Sequence, residues 1–248
     1  MDQDHSAPAT SEPTWKPLTA KQRRVLGTLM EKSKTTPDAY PMTFAGLTTG
    51  CNQKSNRAPI SNYTSEQVET IIDELREIGA VAIIQGSGRV TKVRHYAYNW
   101  MGLDKVEAAV MTELLLRGEQ TLGELRTRAS RMEPIQDLDE LKRIVDGLIR
   151  RNLMVELSPS GRGQVVSHNL YPEWELEAVT KSVAAGISGA GVGGSTGSQD
   201  DDAESPRSKT GSSDLASELQ ALREEVVLLR QRLEKLEQVF EKELGNIG

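Results

Sequence analysis

The chain has 248 residues, a hydrophobic content of 37% and a net charge of −6 at pH 7. Its acidic excess lies in the two terminal segments, and residues 18–176 are close to neutral, so a general cationic field for nucleic acid is excluded while a local basic stripe stays open. The single cysteine, Cys51, excludes an intrachain disulfide, residues 1–17 contain no apolar leader, and no apolar run is long enough to span a bilayer. These features predict a cytoplasmic protein without a membrane anchor.

After a polar segment, residues 1–17, which predicts a disordered N-terminal tail, the sequence repeats itself. A first helix is predicted after Thr19 and again after Asp104, each with Gln or Glu three residues later to complete a capping box. Apolar residues follow at i, i+1, i+4 and i+5, and Leu18 corresponds to Leu103. Each of these two helices is therefore expected to bury one face.

The rest of each copy follows the same order. A second helix is predicted near Thr43 and Thr121, and a third after Thr64 and Asp137. Two apolar extended runs, Ala80 to Ile84 and Leu153 to Leu157, come next, and each leads through a glycine-containing turn into a second strand. Three helices followed by a β-hairpin predict a winged helix.

The predicted fold class is thus α+β, mainly α, with tandem winged-helix domains at residues 18–100 and 101–176. A linker rich in Gly, Ser and Asp is predicted at 177–213, and a coiled coil at 214–244. Apolar residues alternate in steps of four and three through the last segment, which predicts a parallel homodimer, with a trimer or intramolecular docking as alternatives. The predicted dimerisation residues are Leu215, Leu219, Leu222, Val226, Leu229, Leu233, Leu236 and Phe240.

A search for catalytic chemistry gives none. His95 and His168 occupy equivalent strand positions that are typical of core packing, and Cys51 has no histidine nearby in sequence to activate it. The Gly-rich run 191–198 lacks the lysine of a phosphate-binding loop. We therefore predict no catalytic, cofactor or metal residue, and a protein that is not an enzyme.

Cations near the second helices and the wings are the candidate phosphate contacts for double-stranded DNA. A solvated surface is the alternative interpretation of the same charges. The exposed face of the first third helix is acidic, so DNA contacts are expected mainly from the second copy and the wings. The candidates are Lys54, Arg57, Arg89, Lys92, Arg94, Arg126, Arg128, Arg131 and Arg162.

Several long motifs carry a family resemblance. The runs RVLGTLMEKSKTTPDAYPMT, CNQKSNRAP, GRVTKVRH and LLLRGEQTLGELRTRASRM closely resemble the YceH-like family of uncharacterised bacterial proteins, over roughly residues 18–172. The resemblance implies tandem winged-helix domains, often with a coiled-coil tail, and no established activity or ligand. The sequence favours a dimeric DNA-binding or transcription-associated regulator, and the alternative is an adaptor that binds an unknown protein partner without DNA.

Overall fold

The structure is a computed structural model, and it describes residues 15–85 and 90–190. The first repeat begins with the long helix α1, and a short 3-10 turn at Pro37–Ala39 leads into its first strand. Its elements are α1 (Ala20–Thr35), β1 (Met42–Thr43), α2 (Phe44–Cys51), α3 (Ser65–Glu77), β2 (Val81–Gln85) and β3 (Thr91–His95).

The second repeat has the same order and begins after a short connecting helix, α4 (Ala97–Met101). Its elements are α5 (Lys105–Arg117), β4 (Gln120–Thr121), α6 (Leu122–Ala129), α7 (Leu138–Arg150), β5 (Met154–Glu156) and β6 (Val165–His168). A further helix, α8 (Glu173–Ala190), follows. The predicted fold class, α+β and mainly α, is confirmed.

Side-chain caps set the helix starts. Thr19, Thr64 and Asp104 each accept a hydrogen bond from the backbone N–H three residues later, and the Gln or Glu side chain at that later position bonds back to the cap. Asp137 accepts from the backbone N–H of Glu140 at 2.7 Å. These bonds satisfy backbone donors that the first helical turn leaves open. The predicted starts of α1, α3, α5 and α7 are confirmed.

The strands form one small antiparallel sheet in each repeat, in the orders β1-β3-β2 and β4-β6-β5. Val93 lies opposite both Met42 and Ile83 in the first sheet, and Val166 occupies the same central position in the second. The predicted hairpin strands are present in both repeats. The additional strands β1 and β4 are two residues long, too short to show a periodic pattern in the sequence.

Helices α1 and α5 pack against each other in the centre of the molecule. Residues 23–31 of α1 and 108–116 of α5 are buried at every position, as expected of helices surrounded by other elements. A methyl group at Gly27 would lie 3.0 Å from Leu116 Cδ2 and 3.2 Å from Leu115 Cβ, so the two helices approach closely there. The two repeats consequently share one hydrophobic core.

The structure corrects three predicted boundaries. Helix α8 extends through the start of the predicted linker 177–213, because Glu, Leu and Ala favour a helix and Val179 is partly buried. Trp15, within the predicted disordered tail 1–17, packs against the core. The boundary at 100/101 falls inside α4, where Trp100 and Met101 are buried. The remaining linker and the coiled coil 214–244 lie outside the described residues.

None of the helices within residues 15–85 and 90–190 is long and apolar enough to cross a membrane.

Candidate interaction surfaces

Arg57 is not available to nucleic acid, which corrects its place among the predicted phosphate contacts. Its side chain is 0% exposed and forms two bonds to Glu31 of α1, from Nη2 to Oε2 at 2.6 Å and from Nη1 to Oε1 at 3.2 Å. Its Nε and Nη2 also donate to the carbonyl of Gly50 at 3.2 and 3.0 Å. Arg57 therefore closes the loop after α2 against α1.

The same loop joins the two repeats through charged and polar side chains. Asn56 Oδ1 accepts from Arg117 Nη2 at 2.5 Å and from Arg131 Nη1 at 2.8 Å. Glu113 lies between these two arginines, with Oε1 3.1 Å from Arg117 Nε and Oε2 3.3 Å from Arg131 Nη2. We call Glu31, Arg57, Asn56, Arg117, Glu113 and Arg131 the inter-repeat network. It commits Arg131 to a structural contact, although 44% of its side chain is exposed.

Glu113 is the most buried acid of this network, with 1% of its side chain exposed. Burial raises the pKa of the Glu113 carboxyl, and the neighbouring charges of Arg117, Arg131 and Arg128 act in the opposite direction. Desolvation of the carboxylate therefore raises its pKa by more than the charges of the neighbouring arginines lower it. The network constrains geometry more than it adds stability.

Two further predicted cations, Arg126 and Arg128, contact groups of their own repeat. Arg126 Nη1 donates to the carbonyls of Ile135 and Gln136 at 3.4 and 3.3 Å, which holds the loop before α7. Arg128 Nη1 donates to Gln120 Oε1 at 2.7 Å, and its Nη2 lies 3.5 Å from Glu124 Oε1. Both side chains are half-buried. The arginine cluster expected to lead DNA binding is thus engaged largely with protein acceptors.

The other predicted cations face solvent. Lys54, Arg94 and Arg162 are exposed and Lys92 is half-buried, and none of the four has an acidic partner within the part of the chain that the structure describes. Lys92 and Arg94 flank the buried Val93 on β3, so both point away from the core. Arg89 lies outside the described residues.

Helix α3 presents an acidic face. Its acidic side chains are all exposed, and Arg76, its one cation, pairs with Asp73 at 3.2 Å. Its apolar side chains, including Ile72 and Leu75, point into the core. We define the acidic face as Glu66, Glu69, Asp73, Glu74 and Glu77.

A groove of about 500 Å³ runs beside this face, between the start of α1, α3 and the start of α8. Thr70, Ile71 and Glu74 form its α3 wall, and Trp174 and Glu175 form its α8 wall. Trp174 is 72% exposed, which is unusual for a large apolar side chain. We call this site the α3–α8 groove.

The two strand histidines are buried, as predicted, and serve equivalent roles. His95 Nδ1 accepts from the backbone N–H of Ala97 and His168 Nδ1 from that of Leu170, both at 3.2 Å. Burial, with Arg94 and Lys34 nearby, lowers the pKa of His95 to about 4. Burial and the charge of Arg23 lower the pKa of His168 well below its usual value. Each imidazole therefore closes the turn after its strand in the neutral form.

Cys51 is buried, with Sγ 3.6 Å from Thr28 Oγ1, and burial raises the pKa of its thiol to about 11. A thiol in that state is a weak nucleophile at neutral pH. Within residues 15–85 and 90–190, no three His, Cys, Asp or Glu side chains are grouped as metal ligands.

Comparison with known proteins gives a family. A model described as "Protein of unknown function, DUF480" matches residues 18–163. The chain belongs to this family. A UPF0502 protein of Rhodopirellula baltica is 54% identical over 183 residues, which cover 73% of this chain and 76% of that protein. A UPF0502 protein of Pelobacter propionicus is 36% identical over 232 residues, 90% of this chain and 98% of that protein. The resemblance to an uncharacterised bacterial family is confirmed, and these names state no activity.

The region matched by the DUF480 model includes the whole inter-repeat network and ends before α8. Glu113 and Trp174 are not among the residues that the sequence predicts to be functional. Glu113 had a signal, because it is the one charged residue within the otherwise apolar or small run 108–116 and must find a partner inside the protein. Trp174 had none, since its position beside α3 depends on how the repeats pack.

Removal of Arg57 tests the buried pair. We expect Arg57→Met to lower the free energy of unfolding by about 3–5 kcal/mol, because Glu31 is then left buried and unpaired. The double variant Glu31→Leu/Arg57→Met should regain most of that loss, and the exposed Lys54→Met should change stability by about 0.5 kcal/mol or less. Urea unfolding followed by circular dichroism measures all three. An Arg57→Met variant as stable as the unsubstituted chain would contradict the structural role.

Because His95 and His168 are buried in the neutral form, we expect the protein to lose stability in mild acid. Because both folded-state pKa values lie below the unfolded value of about 6.5, the unfolded chain binds protons first as the pH falls, and the free energy of unfolding decreases below about pH 6.5. Each histidine contributes at most about 1.4 kcal/mol per pH unit. His95→Asn/His168→Asn should flatten this dependence between pH 7 and 5, as measured by urea unfolding. An equal pH dependence in both proteins would show that other groups cause it.

Proposed function

We propose that both repeats are winged helices and that the chain is a non-enzymatic binding protein for a basic, apolar-anchored segment of a protein partner. The order helix, strand, helix, helix and antiparallel strand pair, which each repeat follows, supports the winged-helix assignment. The acidic face of α3 beside the α3–α8 groove carries the functional part of the proposal.

Charge complementarity supports a basic partner. In a winged helix that reads DNA, the third helix enters the major groove, and here that helix presents carboxylates that phosphate would repel. A partner segment with Lys or Arg gains attraction from the same carboxylates, most strongly at low salt. The acidic face therefore selects against DNA and for a basic peptide.

The α3–α8 groove supplies an anchor beside that charge. Trp174 is an aromatic side chain with most of its surface in water, and aromatic residues dominate the energetics of protein interfaces. A groove of about 500 Å³ has room for one or two apolar side chains of a partner. A segment that places an apolar residue on Trp174 and basic residues along α3 fits both features.

DNA binding is the second candidate, and the solvent-facing cations of β3 and the loops favour it. Lys54, Lys92, Arg94 and Arg162 remain accessible, and α7 adds the exposed Lys142, Arg143 and Arg150. Fewer cations are free to contact phosphate than the sequence predicts, because Arg57 is buried and Arg126, Arg128 and Arg131 bind protein groups.

Dimerisation through residues 214–244 is a third element of the proposal. It rests on the heptad pattern from Leu215 to Phe240, with Leu at every d position. A dimer would present two copies of the acidic face, which raises the avidity for a partner with two basic segments.

A pair of labelled peptides tests the partner chemistry. A Lys- and Leu-containing amphipathic peptide should bind at low salt at least about tenfold more tightly than its Glu-containing counterpart, as measured by fluorescence anisotropy. Glu66→Lys/Asp73→Lys and Trp174→Ala should each weaken binding about tenfold. The matched control is Asp139→Lys/Asp146→Lys, the equivalent positions of α7, which should leave affinity within about twofold.

Equal loss in the α3 and α7 variants would show nonspecific attraction and contradict the site. Duplex DNA in the same assay separates the second candidate: salt-dependent binding at micromolar protein, with a salt slope reduced by about two to three units in Lys92→Ala/Arg94→Ala/Arg162→Ala, would favour DNA over the peptide.

The full-length chain should sediment as a dimer, with twice the 27.2 kDa mass of one chain. Leu222→Arg/Leu229→Arg places charges in the predicted seam and should give the monomer mass, whereas Gln220→Arg/Gln231→Arg changes outer heptad positions and should not. Sedimentation equilibrium distinguishes these masses. A monomer before substitution, or a dimer that persists in the leucine variant, would contradict this assembly, and a trimer mass would favour the alternative stoichiometry.

A further inference from the structure

A second cavity, of about 510 Å³, lies between the two repeats and is separate from the acidic face of α3. It is bounded by α1, the loop after α2, the end of α5, the end of β6 and α8. We call it the inter-repeat cavity. Its charged lining residues are Arg23, Arg24, Arg117, Glu119 and Glu175, and Tyr171 also lines it.

Arg24 lines this cavity and has a hydrogen-bond donor without an acceptor. The residue is 4% exposed, and its Nη2 donates to the carbonyl of Pro59 at 2.6 Å. Its Nη1 is buried and has no hydrogen-bond acceptor among the residues described. Burial, together with the nearby charge of Arg57, lowers the pKa of Arg24. A buried guanidinium N–H without an acceptor is costly, and an anion would remove that cost.

The wall also carries two carboxylates, Glu119 and Glu175, and Glu175 has a partner. Arg23 pairs with Glu175, with Nη1 2.9 Å from Oε2, and lies over the ring of Tyr171, 4.6 Å from its centroid. The Tyr171 hydroxyl lies 2.8 Å from Ser167 Oγ. Because Glu175 is already committed to Arg23, it does not neutralise Arg24. Of the three arginines on the cavity wall, Arg24 is therefore the one without a carboxylate partner among the residues described.

The cavity also has an apolar wall. Leu114 and Leu115 of α5, Pro59 of the loop after α2 and Val179 of α8 form it. Cavities of about 300–1,000 Å³ with mainly apolar walls and a few placed polar groups are typical of small-molecule sites. An inorganic ion would leave such walls unfilled.

We propose that the inter-repeat cavity binds a small organic anion, whose carboxylate or phosphate group pairs with the guanidinium of Arg24 and whose apolar body contacts Leu114, Leu115 and Val179. The ligand would touch α1 of the first repeat and α5 and α8 of the second part of the chain. It would therefore stabilise the packing of the two repeats. This site does not depend on the identity of the macromolecular partner.

Calorimetry on the full-length chain tests the proposal with benzoate and phenyl phosphate as probes and neutral benzamide as their control. At least one anion should bind with one site per chain and a dissociation constant below about 1 mM, and benzamide at least tenfold more weakly. Binding by benzoate alone or phenyl phosphate alone would identify the preferred head group. The binding anion should also raise the melting temperature.

Variants locate the site. Arg24→Gln should weaken anion binding at least tenfold, Arg24→Lys should retain more of it, and the exposed Arg143→Gln should leave it unchanged. Val179→Trp fills the cavity and keeps Arg24, so it should also abolish binding, which covers the case in which Arg24→Gln does not fold. No binding of either anion up to about 10 mM, or equal binding by folded Arg24→Gln, would overturn the proposal.

Discussion

The packing of α1 against α5 is the constraint on which the rest of the structure depends. Gly27 lets the two helices approach so closely that an added methyl group would lie 3.0 Å from Leu116. Both helices are buried all round over nine consecutive residues, so neither has a face in water along that length. Every polar or charged side chain on those stretches must therefore find a partner inside the protein or line a cavity.

The buried charges follow from that constraint. Glu31 pairs with Arg57 of the loop after α2, and Glu113 pairs with Arg131 of the turn after α6. These two arginines are therefore less available to a ligand on the surface. Buried ion pairs stabilise little, because desolvation offsets most of their attraction, but an unpaired member is costly. Each of these pairs lies within one repeat, and Asn56 of the first repeat, which accepts from Arg117 and Arg131 of the second, joins them.

The sequence predicts the features that depend on local chemistry. The caps at Thr19, Thr64 and Asp104 and the hairpin strands around Val93 and Val166 follow from short-range spacing, and the structure contains them. The strands β1 and β4 could not be predicted, because two residues carry no period. The direction of Arg57 could not be predicted either, because its partner Glu31 lies 26 residues earlier in the chain.

Sequence alone also could not predict which arginines are free to bind a ligand. A cluster such as Arg126, Arg128 and Arg131 has the same spacing whether it binds phosphate or protein carbonyls. Whether these arginines bind protein groups depends on the positions of Ile135, Gln120 and Glu113, and packing sets those positions. Charge in a sequence thus indicates where cations are, and the fold decides which of them remain free.

Helix α8 shows how a segment of linker-like composition can become part of both candidate sites. Glu175 lines the α3–α8 groove and the inter-repeat cavity, and its carboxylate binds Arg23 of α1. On either side of it, Trp174 faces the groove and Val179 the cavity. Because one helix forms a wall of both sites, a displacement of α8 that opens one of them alters the other. The ion pair between Arg23 and Glu175 therefore lies where the two sites meet.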